Sequence, residues 1–207
     1  MFWRNRMTRY ANVFILVLAV FVLAMTAAAQ TGKPPKPDSA AGKPDRVGKP
    51  DTVYAEVGSI DPINWTITVS VANDEPVVGI SVPLRMTAGL NRIVADSAIF
   101  TGGRIAHFAQ RFFRADTAIQ CVLIGGIANM GGPRVQLTPG VGRIVTIFVS
   151  SLEKKPLEKL NVDTTTVNPS NSLQIVADSI LGAAPDSPRI DQKDRLIVPV
   201  FVVRKAK

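Results

Sequence analysis

Apolar and polar side chains alternate along several stretches of this chain. The clearest runs from Trp65 to Val71, where Trp65, Ile67, Val69 and Val71 fall on one side and Thr66, Thr68 and Ser70 on the other. A period of two marks a strand with one dry and one wet face. The polar cluster Asn73-Asp74-Glu75-Pro76 then predicts a turn. Beyond it Val78, Ile80, Val82, Leu84 and Met86 line one face of a second strand. Together the two segments predict a hairpin with one buried face. Pro83 inside the second strand predicts an edge position or a bulge, because proline cannot donate to a ladder.

The same reading gives further strands at 53–57, 93–100, 118–127, 142–150, 173–178 and 196–204. The segments 118–127 and 142–150 are apolar on both faces and are expected to be central. Glycine and proline pairs punctuate the strands: Gly102-Gly103, Gly125-Gly126, Gly131-Gly132-Pro133 and Pro139-Gly140. About eight or nine strands with such turns and no long helix predict an all-β, two-layer antiparallel sandwich or jelly roll. Ile93-Val94-Ala95-Asp96-Ser97 recurs as Ile175-Val176-Ala177-Asp178-Ser179. The flanking residues differ, which favours two strands ending in a similar Asp-Ser turn over a duplicated half-domain.

Arg104 to Arg114 fits the alternation poorly. On a helix of 3.6 residues per turn, Arg104, His107, Arg111 and Arg114 share one stripe, and Ile105, Phe108 and Phe112 another. The segment reads either as a short amphipathic helix or as an irregular loop packed by its phenylalanines.

The N-terminus has a different texture. Arg4, Arg6 and Arg9 precede a thirteen-residue apolar run, Val13 to Met25, and Ala27-Ala28-Ala29 closes it. This is the layout of a secretory signal peptide over 1–29, cut between Ala29 and Gln30. The alternative is a retained anchor, but a spanning helix needs ~20 apolar residues. The expected location is secreted, periplasmic or at the cell surface, with membrane contact only through the leader before cleavage. Residues 30–51 repeat Gly-Lys-Pro and Lys-Pro-Asp. Dense proline with almost no apolar side chain predicts an extended spacer. The domain proper then runs from 52 to 207.

The chain has 24 basic and 16 acidic residues, a net +8; without the three leader arginines 21 basic residues remain, a net +5. The charges are scattered, not clustered as phosphate tracking requires, so a nucleic-acid partner is not expected. Cys121 is the only cysteine, so an intrachain disulfide is ruled out. It lies on the strand face of Ile119 and Leu123 and reads as a small buried hydrophobe.

Candidate chemistry is sparse. His107 is the only histidine, and the chain contains no Gly-x-Ser-x-Gly elbow. One histidine and one cysteine do not make a zinc site. The acids lie in no distinctive motif, and Asp186, Asp191 and Asp194 lack the pattern of a calcium loop. Neither a catalytic set, a metal site nor a cofactor is therefore expected. After cleavage Trp65 and Tyr54 are the remaining Trp and Tyr residues, too few for the flat aromatic row that stacks on sugars. A polysaccharide ligand is the second choice behind a protein. Arg104, His107, Arg111, Phe112, Phe113 and Arg114 form the candidate partner-binding patch, since arginine and aromatics are enriched at interfaces.

Three segments carry a family resemblance: ITVSVANDEPVVGISVPLRM at 67–86, IVADSAIFTGGR at 93–104 and PGVGRIVTIFVSS at 139–151. In this order they resemble the strands of bacterial cohesin-like domains, over Thr52 to about Val203. Two departures stand out. Thr87-Ala88-Gly89-Leu90 replaces the family's Tyr-Asp-Pro segment, and no dockerin-like calcium repeat follows. The resemblance implies a nine-stranded jelly-roll sandwich that binds a protein partner, often a dockerin, without catalysis.

Overall fold

A computed structural model describes residues 43–44, 48–129, 135–166, 171–178 and 195–205. Compactness divides the chain into Met1–Asp38 and Ser39–Lys207, and all described residues belong to the second unit. The leader, its cleavage site, most of the spacer and Asp186, Asp191 and Asp194 lie outside the described residues.

The described residues form two sheets. The five-stranded sheet has the order β12(Val200–Lys205), β2(Thr52–Ser59), β3(Asn64–Asn73), β8(Gly140–Ser151), β5(Ile93–Ile99). The seven-stranded sheet runs β1(Lys43–Pro44), β11(Leu196–Val198), β10(Gln174–Ala177), β4(Val77–Thr87), β7(Cys121–Ile127), β6(Gln110–Asp116), and β9(Asn161–Thr164) also pairs with β4. The inner faces meet in one core. Val53 and Ala55 of β2, Ile67, Val69 and Val71 of β3, and Ile147 and Val149 of β8 face Ile80, Val82 and Leu84 of β4 and Val122 and Ile124 of β7. β7 and β8 each have a strand on both sides, as their two apolar faces predict.

Several expectations are corrected. The all-β two-layer sandwich is as expected, but β1, β6 and β9 are additional strands, and the single stretch expected at 196–204 divides. Pro199 interrupts it: β11 pairs antiparallel with β10, whereas β12 pairs parallel with β2 in the other sheet. Pro83 marks neither an edge strand nor a bulge. β4 lies inside its sheet, and Thr165 N donates to Pro83 O at 3.2 Å. The missing proline amide therefore faces the break between β9, which ends opposite Leu84, and β10, which begins opposite Ser81. Gly125-Gly126 is not a turn but lies within β7. The first Asp-Ser of the repeated pentapeptide is not a turn either, since the register shifts between Ala95 and Ser97 and β5 continues to Ile99.

The segment 104–114 is neither a helix nor wholly a loop. Residues 101–107 turn across from one sheet to the other, and β6 begins at Gln110. Ile105 and Phe108 are buried in the core. Phe112 does not join them on one stripe, because strand alternation sends it to the outer face while Phe113 packs inward. β7 begins at Cys121 rather than at 118: Asp116 Oδ1 accepts from the amides of Ala118 and Ile119, and Gln120 takes a left-handed φ of 53°. Ile119 thus sits in an exposed turn, not on the Cys121 face.

Residues at the end of the expected spacer are bound to the domain. Lys49 N donates to Asp74 Oδ2 at 2.5 Å, Val200 N donates to Asp51 O at 2.8 Å, and Asp51 is buried.

Candidate interaction surface

The outer face of the seven-stranded sheet is built by register. Leu84, Val82 and Ile80 point into the core, so Arg85, Pro83, Ser81 and Gly79 point out. Across the sheet these residues line up in rows. Asp116, Cys121, Arg85 and Asp163 form the first row, and Arg114, Leu123 and Pro83 the second. Phe112, Gly125, Ser81 and Gln174 form the third, and Gln110, Ile127, Gly79 and Val176 the fourth. Phe112 is 37% exposed and Ile127 38%. The glycines keep the surface low, and the charged residues gather at one end.

The six candidate residues separate. Phe112 and Arg114 belong to this face, and Phe113 packs against the core. Arg104 is a half-buried structural pin. Its Nη1 donates to Val71 O at 3.1 Å, Asn73 Oδ1 at 2.8 Å and Gly140 O at 2.8 Å, and its Nη2 donates to Thr138 O at 2.5 Å. Burial draws this guanidinium below its ordinary pKa, with the Asp51 carboxylate pulling the other way. Arg111 turns from the face to the seam between the sheets and donates to the carbonyls of Ala106 and Phe108. His107 Nε2 lies 3.1 Å from Gln136 O, and its ring meets Phe108 edge-on with centroids 5.3 Å apart. Leu123, Ile127, Pro83 and Gly125 were missed by sequence reasoning. Their parity along β4 and β7 places them together, but only once the register between the two strands is known.

Cys121 sits between Asp116 and Arg85 in the first row. Burial pushes its thiol up, Arg85 lowers it and Asp116 adds to the rise. A raised thiol is a poor nucleophile at neutral pH. Its closest polar partner is the carbonyl of Ile119 at 3.4 Å.

Asp51, Asp74 and Glu75 each bring a carboxylate oxygen within 4.8 Å of the others, beside Lys49. Asp51 and Glu75 are buried, and Asp74 is exposed. The cluster is continuous with the contacts that hold residues 48–51 on the domain. Gly48 belongs there too: its φ is 69°, and a Cβ would fall 2.0 Å from Asp74 Oδ2.

Trp65 and Tyr54 do not make a platform. Trp65 has the parity of Ile67 and packs against the core, whereas Tyr54 alternates with Val53 and Ala55 and points outward. The guanidinium carbon of Arg204 covers the Tyr54 ring, 3.5 Å from its centroid.

No protein-family model and no curated protein matches this sequence. Solved structures do resemble it. The OlpC cohesin of Clostridium thermocellum, solved in complex with the Doc435 dockerin, has a TM-score of 0.50 at 8% identity over 79% of this chain and 99% of its own. The domain has the cohesin fold. Two further cohesins are similar at lower scores. The OlpA cohesin of the same organism, in complex with Doc918, gives 0.48 at 9% identity over 75% of this chain and 99% of its own. The seventh ScaB type I cohesin of Pseudobacteroides cellulosolvens gives 0.48 at 9% over 74% and 92%. Residues 88–91 form a tight turn after β4. Asn91 N donates to Ala88 O at 3.1 Å, Gly89 has a φ of 62°, and Leu90 is fully exposed.

Proposed function

We propose that this chain is an exported, non-catalytic docking module that seats a protein partner on the outer face of its seven-stranded sheet. The observation that carries the reading is the low apolar strip where exposed Phe112 lies over Gly125, with half-buried Leu123 and exposed Ile127 beside it and Arg114 and Arg85 alongside. Aromatic anchors flanked by arginine are the composition of an interface centre. A standard interface takes ~800 Å² from each partner, within the reach of one sheet face. The fold supports the same reading, since the OlpC and OlpA cohesins were solved bound to dockerins. A dockerin-like module is the first partner to test.

Export rests on the N-terminal layout of a basic leader, an apolar run and small residues. A polysaccharide ligand is disfavoured because Trp65 and Tyr54 lie on opposite faces of one sheet.

Titration calorimetry against a panel of dockerin modules and of proteins encoded beside this gene tests the proposal. One partner should bind, and Phe112→Asp with Arg114→Glu should weaken it at least about tenfold, or ~1.4 kcal/mol. Val141→Ser, off this face, should leave it unchanged. Absence of any protein ligand, together with glycan binding that disappears in Trp65→Ala, would overturn the reading.

A further inference from the structure

β6 closes one side of the seven-stranded sheet, and among the described residues no strand pairs with its outer edge. It is seven residues long, contains no proline and pairs with β7 without a bulge. Edge strands are normally blunted by bulges, prolines or shortness, because a regular edge is a template for another strand. β5 has its bulge at Asp96, and β1 has only two residues. β6 has neither device.

The phase of its free hydrogen-bonding groups is fixed. Met86 N donates to Gln120 O and Ala128 N to Val78 O, both at the β4 side of β7. In an antiparallel pair the direction alternates by residue, so Cys121, Leu123, Gly125 and Ile127 turn to β6. Their partners Asp116, Arg114, Phe112 and Gln110 therefore address β7, while Arg111, Phe113 and Ala115 turn their amides and carbonyls outward.

We propose that this edge pairs antiparallel with β6 of a second copy of the chain, about a two-fold axis through Phe113. In the register that uses the whole strand, Gln110 stands opposite Asp116 of the second copy and Phe112 opposite its Arg114. All four outer-face side chains then find partners, and the free backbone groups of Arg111, Phe113 and Ala115 meet those of Ala115, Phe113 and Arg111 of the second copy. The Gln110 amide can donate to the Asp116 carboxylate, and the Arg114 guanidinium meets the Phe112 ring as a cation–π pair. A two-residue slip in one direction sets Arg114 against Arg114, which like charge disfavours. A slip in the other direction leaves Asp116 overhanging. The strand is thus complementary to itself in one register, as an isologous interface requires. Opposed residues in this pairing share a face, so the outer faces of both sheets lie on the same side. The two copies would present one continuous surface, on which a partner carrying two modules gains by effective concentration. The inference concerns the edge and stands or falls independently of what docks on the face.

Sedimentation equilibrium of the full chain tests it without any ligand. The expected result is a mass of two copies that reverts to one on dilution. Ala115→Pro should give one copy: its lost amide points away from β7, so the native ladder stays complete while the second copy is refused. Hydrogen exchange on the unsubstituted chain provides a measurement that needs no variant. The amides of Arg111, Phe113 and Ala115 should exchange about tenfold more slowly at high than at low protein concentration, with those of β3 unchanged. A single-copy mass throughout, or exchange at Arg111, Phe113 and Ala115 that ignores concentration, overturns the proposal. So does an Ala115→Pro chain that folds and still forms pairs.

Discussion

Phe112 lies across Gly125, its cross-strand partner. A Cβ on Gly125 would come within 2.2 Å of the Phe112 Cζ and 2.5 Å of the Ile80 carbonyl oxygen. The glycine supplies space, not a turn. Gly125→Ala should displace the phenyl ring and cost about 1–3 kcal/mol through overpacking. Thermal unfolding measures the cost, and titration with a docking partner should show weakened binding. If Gly125→Ala melts with the parent and binds as well, the ring does not rest where we place it.

Arg104 joins four acceptors that the chain brings from distant points. Val71 and Asn73 end β3, Thr138 and Gly140 begin the approach to β8, and Gly142 leaves room for the arginine stem. Removing the guanidinium leaves half-buried carbonyls without their charged donor. Arg104→Ala should destabilise by on the order of 2–4 kcal/mol. Arg104→Lys should recover only part of this, because an ammonium cannot reproduce the planar fork. In urea the midpoint should fall with the slope unchanged. An Arg104→Ala midpoint equal to the parent's would refute the structural role.

The contrast between these residues and the alternating strands shows what was legible in the sequence. Trp65 to Val71 could be read because the information is local: each side chain declares its face by contrast with its neighbours. β6 could not, because six of its seven residues are exposed and only Phe113 turns into the core, so alternation is nearly silent. β9 buries Val162 alone among its four residues. Pro199 was visible, but that it carries the chain between sheets depends on Asp51, which receives Val200 from far away in sequence. The surface shares that limit. Phe112 and Arg114 stood out by residue type, while Leu123 and Ile127 became their neighbours only through the register of β6 against β7.

Asp61 organises the turn between β2 and β3. Its Oδ1 accepts from the amides of Ile63 and Asn64, both at 2.8 Å, and its Oδ2 from Asn64 Nδ2 at 2.7 Å. These bonds lower its pKa, with the Asn64 side chain as the largest cause. A carboxyl depressed on folding stabilises above its unfolded value of about 3.9 and loses that contribution as pH falls through its lower folded value. Asp61→Asn should therefore lower the melting temperature at pH 7 and converge with the parent in strong acid. A difference that persists undiminished at pH 2 would remove the carboxylate from the explanation.

Cys121 tests whether the outer face is as closed around its thiol as the geometry implies. The residue is 6% exposed, and burial raises its pKa, opposed by Arg85 and aided by Asp116. Both effects reduce the supply of accessible thiolate, which is the reactive species. A charged disulfide reagent at pH 8 should therefore modify the native chain far more slowly than the unfolded one. Arg85→Ala should slow the native reaction further by removing the cation that favours the thiolate, while Asp116→Asn should speed it. The signs of these two changes are opposite, which a general loosening of the sheet would not produce. If both variants react faster, the thiol is governed by local opening rather than by its charged neighbours.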